Sequence, residues 1–228
     1  MHLDASADAP GLGSKAPGAP GVVAYAAEAP SDPGAAVPGA TFDSEPFASE
    51  MEIAGHVSAT VWVSSTSSDM ELFATVRVLD PSGAEVAYAV RPQRPDMPLA
   101  HGALKVSHRA LDAARSTPHR PWHTHRRADR APLRSPDEVV PVEIELSITT
   151  ARIPAGHRLR LELQPIEART GRAGRAADRP GLVAGRAYDN SYHDGAENRI
   201  HTGPDHPSQL RIPVVPRKPA WVEPGART

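Results

Sequence analysis

Cysteine is absent from the 228 residues. That excludes disulfides, thiolate nucleophiles, iron–sulfur clusters and sulfur-ligated zinc, and with them a small secreted scaffold held by cross-links. Aromatic residues are only 4% of the chain, and lysine occurs only at Lys15, Lys105 and Lys218. The scarcity of aromatics argues against a surface that stacks bases. The cations are nearly all arginine, a compositional bias and not a phosphate-binding signal. Net charge is −2, so no global field favours nucleic acid or an anionic membrane. No stretch approaches the roughly 18 apolar residues of a membrane span. The start, MHLDASADAPGLGSKAPGAP, has no basic residues followed by an apolar run, as a signal peptide would. A soluble, cytoplasmic protein is expected.

Proline (25) and glycine (17) are abundant but not periodic, so collagen is excluded. Residues 1–40 carry few large apolar side chains and predict a flexible or extended N-terminal arm. From residue 41 the pattern changes. Val57, Ala59, Val61 and Val63 alternate with Ser58, Thr60 and Trp62, and Gly55 marks a bend before them. Leu72, Ala74, Val76 and Val78 alternate likewise, and Asp80–Gly83 (DPSG) predicts the turn of a hairpin returning over 85–90. One strand is expected at 103–110. The proline- and arginine-rich stretch 115–136 predicts a long surface excursion. Val140, Val142, Ile144, Leu146 and Ile148 recur at period two. After the turn PAGH, so do Leu159, Leu161 and Leu163. Late strands are expected at 199–202 and 209–215. This pattern predicts an all-β fold, an antiparallel two-sheet sandwich of jelly-roll or immunoglobulin-like type, over residues 41–216, with a C-terminal tail at 217–228.

Four strings carry a resemblance: TFDSEPFASEMEIAGHVSATVWVSSTSSDMELFATVRVLDPSG (41–83), GALKVSHRALDAARSTPHRPWHTH (102–125), VPVEIELSITTARIPAGHRLRLEL (140–163) and HTGPDHPSQLRIPVVP (201–216). In that order they resemble the C-terminal domain of the CocE/NonD serine hydrolases, the cocaine esterase and Xaa-Pro dipeptidyl-peptidase family. The resemblance implies a jelly roll of the galactose-binding-like kind. It also implies a partner α/β-hydrolase domain with a Ser-His-Asp triad. No serine here has glycine two residues before and two after it, so the nucleophile elbow is missing and no triad residue transfers to this chain. The implied role is a non-catalytic domain that packs on the hydrolase domain and walls part of its substrate pocket.

His119, His123 and His125, beside Trp122, form the sharpest local cluster. Three imidazoles can hold zinc, but Arg120, Arg126 and Arg127 oppose a cation and no acidic residue lies within the cluster to orient the rings. No metal or other cofactor is expected. Ser107 next to His108 is not a dyad, since adjacent strand residues point to opposite faces. Arg109 is expected to hold the excursion by buried hydrogen bonds. Glu143 and Glu145, two apart, share a strand face, more commonly a solvated one than a glycosidase pair. Arg158, Arg160 and the arginines of 169–186 do not make a nucleic-acid surface, given the offsetting acids and few aromatics. The expected domain contact is therefore His108, Arg109, Arg120, Trp122 and His123. Two other readings are a stand-alone carbohydrate-binding module using Trp62 and Trp122, and a truncated gene product.

Overall fold

The computed structural model describes residues 1–6, 9–28, 36–88, 97–166 and 195–216. Within them run β1 (His2–Asp4), β2 (Gly11–Gly13), β3 (Gly21–Ala26), β4 (Ala40–Ser44), β5 (Met51–Gly55), β6 (Ser58–Ser65) and β7 (Glu71–Leu79). They continue with β8 (Glu85–Val86), β9 (Ala100–Lys105), β10 (Val140–Glu145), β11 (Thr149–Ile153), β12 (Arg158–Gln164), β13 (Glu197–Thr202) and β14 (Gln209–Arg211). The described residues contain no α-helix, only two single-turn 3-10 segments, Val106–His108 and Arg127–Asp129. None of their helices is long and apolar enough to cross a membrane.

The architecture is a jelly-roll-like sandwich. In one layer β6 is central, flanked by β10 on one edge and by β13 and β14 on the other, with β3 beyond β13. In the other, β7 lies between β12 and the pair β9 and β8, with β4 beyond β12. β1 and β2 link the layers: β1 pairs with β14, and β2 runs parallel to β4. A separate ribbon joins β5 to β11.

The period-two pattern sets which side chains meet. Val61, Val63, Leu72, Val76, Val78, Val142, Ile144, Leu159, Leu161 and Leu163 all point inward and are fully buried. Burying each such side chain contributes on the order of 1.5–3 kcal/mol. The partners on the outward face are charged: Arg160 grips Asp43 through two hydrogen bonds of 2.7 Å, and Arg77 binds Glu162 at 2.8 Å and Glu85 at 2.6 Å. Of the arginines that could suggest a nucleic-acid surface, Arg160 is neutralised by its pair with Asp43. The series at 169–186 lies outside the described residues.

Four sequence expectations change in detail. Residues 1–40 are not simply an arm: they supply β1, β2 and β3, and Leu3, Leu12 and Tyr25 sit in the core. β1 and β2, three residues each, offer too little alternation to be recognised, and of the six residues of β3 only Tyr25 is buried. The strand expected at 103–110 is β9, which begins earlier and turns at Val106 into the 3-10 segment. The run ending in Ile148 breaks after Leu146. The chain crosses there to β11 and leaves Ile148 65% exposed. The strand expected at 209–215 stops at Arg211, and beyond it Val214 forms only an isolated bridge with Ile53.

Candidate functional site

After β9 the chain leaves the sandwich at Val106 and returns at Leu133. Backbone bonds close the base of this excursion. Val106 N donates to Met70 O, Ala131 N to Ser107 O and Leu133 N to Ser68 O, each at 2.8 Å. The Asp69 carboxylate, nearly fully buried, accepts from Ser107 N at 2.9 Å and Met70 N at 3.0 Å through Oδ1. Its Oδ2 makes no hydrogen bond, but faces Arg130 at 3.6 Å and Lys105 at 3.9 Å. The guanidinium of Arg109 donates to the carbonyls of Val106 and Ala131 and ties the outgoing strand to the returning one. That is the hydrogen-bonded hold expected from the sequence.

Farther out the excursion folds on itself. Asp112 N donates to Trp122 O at 2.8 Å, Thr124 N to Ala110 O at 3.1 Å, and Leu111 lies opposite His123. Arg115 sits 3.7 Å above the Trp122 ring and Arg120 lies 5.2 Å from it, a cation–π arrangement that occupies the indole. The other candidate sugar platform, Trp62, packs at a tilt against His206, with centroids 5.2 Å apart.

The histidine cluster differs in membership from the one the sequence suggested. His119 is exposed at the tip. Its place is taken by His108, whose Nδ1 meets His125 Nδ1 at 3.3 Å. His125 adopts φ +48°, a left-handed conformation uncommon outside glycine. No group of three histidine, aspartate or glutamate side chains among the described residues could hold a metal ion. His123 is held below the ordinary histidine range, chiefly by burial and then by the charge of His125. Ser107 and His108 do not form a dyad, although the reason is not strand geometry: both lie in the 3-10 turn, and the Ser107 hydroxyl is buried.

The excursion folds back over the junction of β10 and β11. Between them lies a cleft of about 470 Å³. Leu104 and Leu146 line its apolar side, while Arg120, His123, His125 and His56 supply cationic or titratable groups. Glu145 is the one carboxylate in its lining. It accepts from Arg120 Nε at 3.0 Å and lies 3.7 Å from His56 Nδ1. Glu145 is thus an ion-pair partner, and Glu143, on the same face, lies opposite Thr60 of β6. The cleft can hold an apolar side chain beside an anionic one; it presents no nucleophile–base pair.

One constellation was not found from sequence. Ser64 Oγ lies 2.8 Å from His201 Nε2, and Ser64 is 1% exposed. The register of β13 against β6, with His201 opposite Trp62, brings them together. No local sequence signal shows that. Burial of the hydroxyl makes the pair a packing contact, not an exposed nucleophile.

Residues 4–211 match the family described as the X-Pro dipeptidyl-peptidase C-terminal non-catalytic domain. A Mycobacterium bovis protein provisionally named a serine esterase is 28% identical over 178 residues, which are 77% of this chain and 24% of that protein. A CocE/NonD family hydrolase from Staphylococcus aureus has a similar structure, with TM-score 0.78 and 30% identity over 95% of this chain and 36% of that one. An aminopeptidase from a marine sediment Thaumarchaeota archaeon gives TM-score 0.58 at 15% identity, also over 95% of this chain and 36% of its own. That likeness shows the fold alone. The chain spans well under half the length of each of these relatives.

Proposed function

The chain belongs to the family of X-Pro dipeptidyl-peptidase C-terminal non-catalytic domains, and from that premise we propose that it packs on the α/β-hydrolase domain of a CocE/NonD-type serine hydrolase and shapes one wall of its substrate pocket. In such an enzyme a serine attacks the ester or amide carbonyl, a histidine moves the proton, and backbone N–H groups hold the oxyanion. Those groups belong to the partner. This chain supplies a rigid surface.

The observation that carries the reading is the excursion over 106–133. A solvent-exposed loop of this length is expected to be mobile. This one is fixed at its base by Asp69 and Arg109 and holds Trp122 against Arg115. Rigid presentation of large side chains is what a docking surface requires, because less entropy is lost on association. His108, Arg109, Arg120, Trp122 and His123 all belong to this unit. In this reading Arg120, Trp122 and His123 meet the partner, and the Arg109 hydrogen bonds hold the base of the excursion that carries them.

Replacing 115–130 with a short Gly/Ser loop tests this. Association with a cognate α/β-hydrolase domain, followed by biolayer interferometry, is expected to weaken by at least about 100-fold, or roughly 2.7 kcal/mol. Unchanged affinity would remove the excursion from the interface.

A further inference from the structure

We propose that the excursion docks against an acidic, carboxylate-bearing surface of the catalytic domain, with an apolar side chain of that surface seated on Ile148 in the cleft. The proposal rests on the docking role above and adds the chemistry of the partner.

Charge is the first support. From Arg109 to Arg134 the sequence has seven arginines against two aspartates, Asp112 and Asp129, in a chain whose net charge is −2. Part of that set is used internally. Arg109 binds the Val106 and Ala131 carbonyls, Arg115 covers Trp122, Arg130 faces Asp69, and Arg120 binds Glu145. Arg126, Arg127 and Arg134 are exposed, and the first two directly follow His125 in the lining of the cleft. Asp129, Asp137 and Glu138 lie beside these arginines in sequence and offset part of their charge. Glu145 already serves Arg120 and His56, and the Glu138 carboxylate accepts from the Arg134 backbone N–H at 2.5 Å.

Apolar surface is the second support. Ile148 is 65% exposed and lines the same cleft as Leu104 and Leu146. Arg126 and Arg127, next to His125 in the chain, put exposed guanidinium groups on the excursion that lines this apolar seat, which fits a protein surface that offers carboxylates beside one aliphatic or aromatic side chain, since guanidinium pairs with carboxylate through two parallel hydrogen bonds. A nucleic acid fits less well. It needs free aromatic faces for stacking, and Arg115 occupies the Trp122 ring.

The test uses the whole chain and fluorescein-labelled probes read by anisotropy: a peptide of alternating glutamate and leucine, the same peptide with glutamine for glutamate, and oligothymidylate. The glutamate peptide is expected to bind at least about tenfold more tightly than the glutamine peptide, and to weaken about tenfold between roughly 50 and 300 mM salt. The triple variant R126Q/R127Q/R134Q, with an unchanged melting curve, is expected to lose that preference, and Ile148→Ser to weaken both peptides. Equal affinity for the two peptides, absence of binding, or an unaffected triple variant overturns the proposal. Tighter binding of oligothymidylate overturns it in favour of a nucleic-acid surface. The association assay separates the two claims. If the Gly/Ser loop abolishes association with the hydrolase domain but the triple variant and salt do not weaken it, the docking role stands and the acidic partner falls. If the Gly/Ser loop changes nothing, the docking role falls, whatever the peptides show.

Discussion

Asp69 has consequences well beyond its own position. Its carboxylate is 3% exposed and joins the end of β6's following turn to the base of the excursion through Ser107 N. Arg130 and Lys105 approach it, so removing the carboxylate takes a partner from both cations and leaves two backbone donors, Ser107 N and Met70 N, less well satisfied. Asp69→Ala is expected to destabilise the fold by about 2 kcal/mol, in the range for leaving buried donors unsatisfied, as read from the urea midpoint. A loss below about 0.5 kcal/mol would mean the excursion is held by its backbone bonds alone. In sequence Asp69 is an acid in a Ser-rich turn, and nothing local distinguishes it from a solvated one.

Histidine protonation also acts at the residue scale. His201 and His123 are both held below the ordinary imidazole value, mainly by burial. The unfolded chain takes up these protons near pH 6.5, while the folded chain takes them up only at lower pH. Unfolded molecules therefore bind more protons across that window, and stability falls as pH drops through it. The melting temperature is expected to be level above about pH 7 and to decline from about pH 6.5 towards 5, with a shallower slope in His201→Gln. A melting temperature that rises on acidification would contradict the burial of these rings.

At the scale of elements, strands with a clear period two were legible and β1 to β3 were not. β6, β7, β10 and β12 each show alternation over six residues or more, and each buries the side chains the alternation marks. β7 is buried along both faces, so its alternation records which layer a residue meets, not whether it meets water. The break at Leu146 was not visible, because Ile148 continues the hydrophobic period. β10 ends where it comes close to β9. A Cβ on Gly102 of β9 would overlap the Glu145 carbonyl oxygen, so the two layers approach at that glycine and the chain turns away. Gly102→Ala is expected to cost about 2 kcal/mol and to disturb the cleft, lowering the melting temperature and raising hydrogen exchange at Glu145–Ser147. No change in either would show that the β9–β10 approach is easily relaxed. β1 to β3 depend on pairing with β14, β4 and β13. Deleting 1–26 is expected to abolish cooperative unfolding, as Leu3 and Leu12 leave the core and β14 loses a neighbour.

At the scale of the whole molecule, the chain belongs to a family of non-catalytic domains. The chain has no serine in a G-x-S-x-G setting, and Ser64, whose hydroxyl meets the ring nitrogen of His201, is buried. The isolated chain is expected to remain unlabelled by fluorophosphonate probes and to give no p-nitrophenyl ester turnover above buffer. Stoichiometric labelling of any serine would contradict its membership in a non-catalytic family as a description of its own chemistry.

The sequence by itself determined the layered all-β fold, the family and the absence of a nucleophile elbow. These depend on period two, on ordered strings and on residue types, all of which are local in the chain. Only the tertiary structure decided which side chains share a site. His108 and not His119 joins His125, Arg120 meets Glu145 across the excursion, and Asp69 closes its base, because each pairing spans a sequence gap fixed by strand register and by a glycine-permitted approach of two layers. Period and composition carry no information about those distances. They are set when the inward faces pack, and the polar groups left at the rim take whichever partners that packing brings within reach.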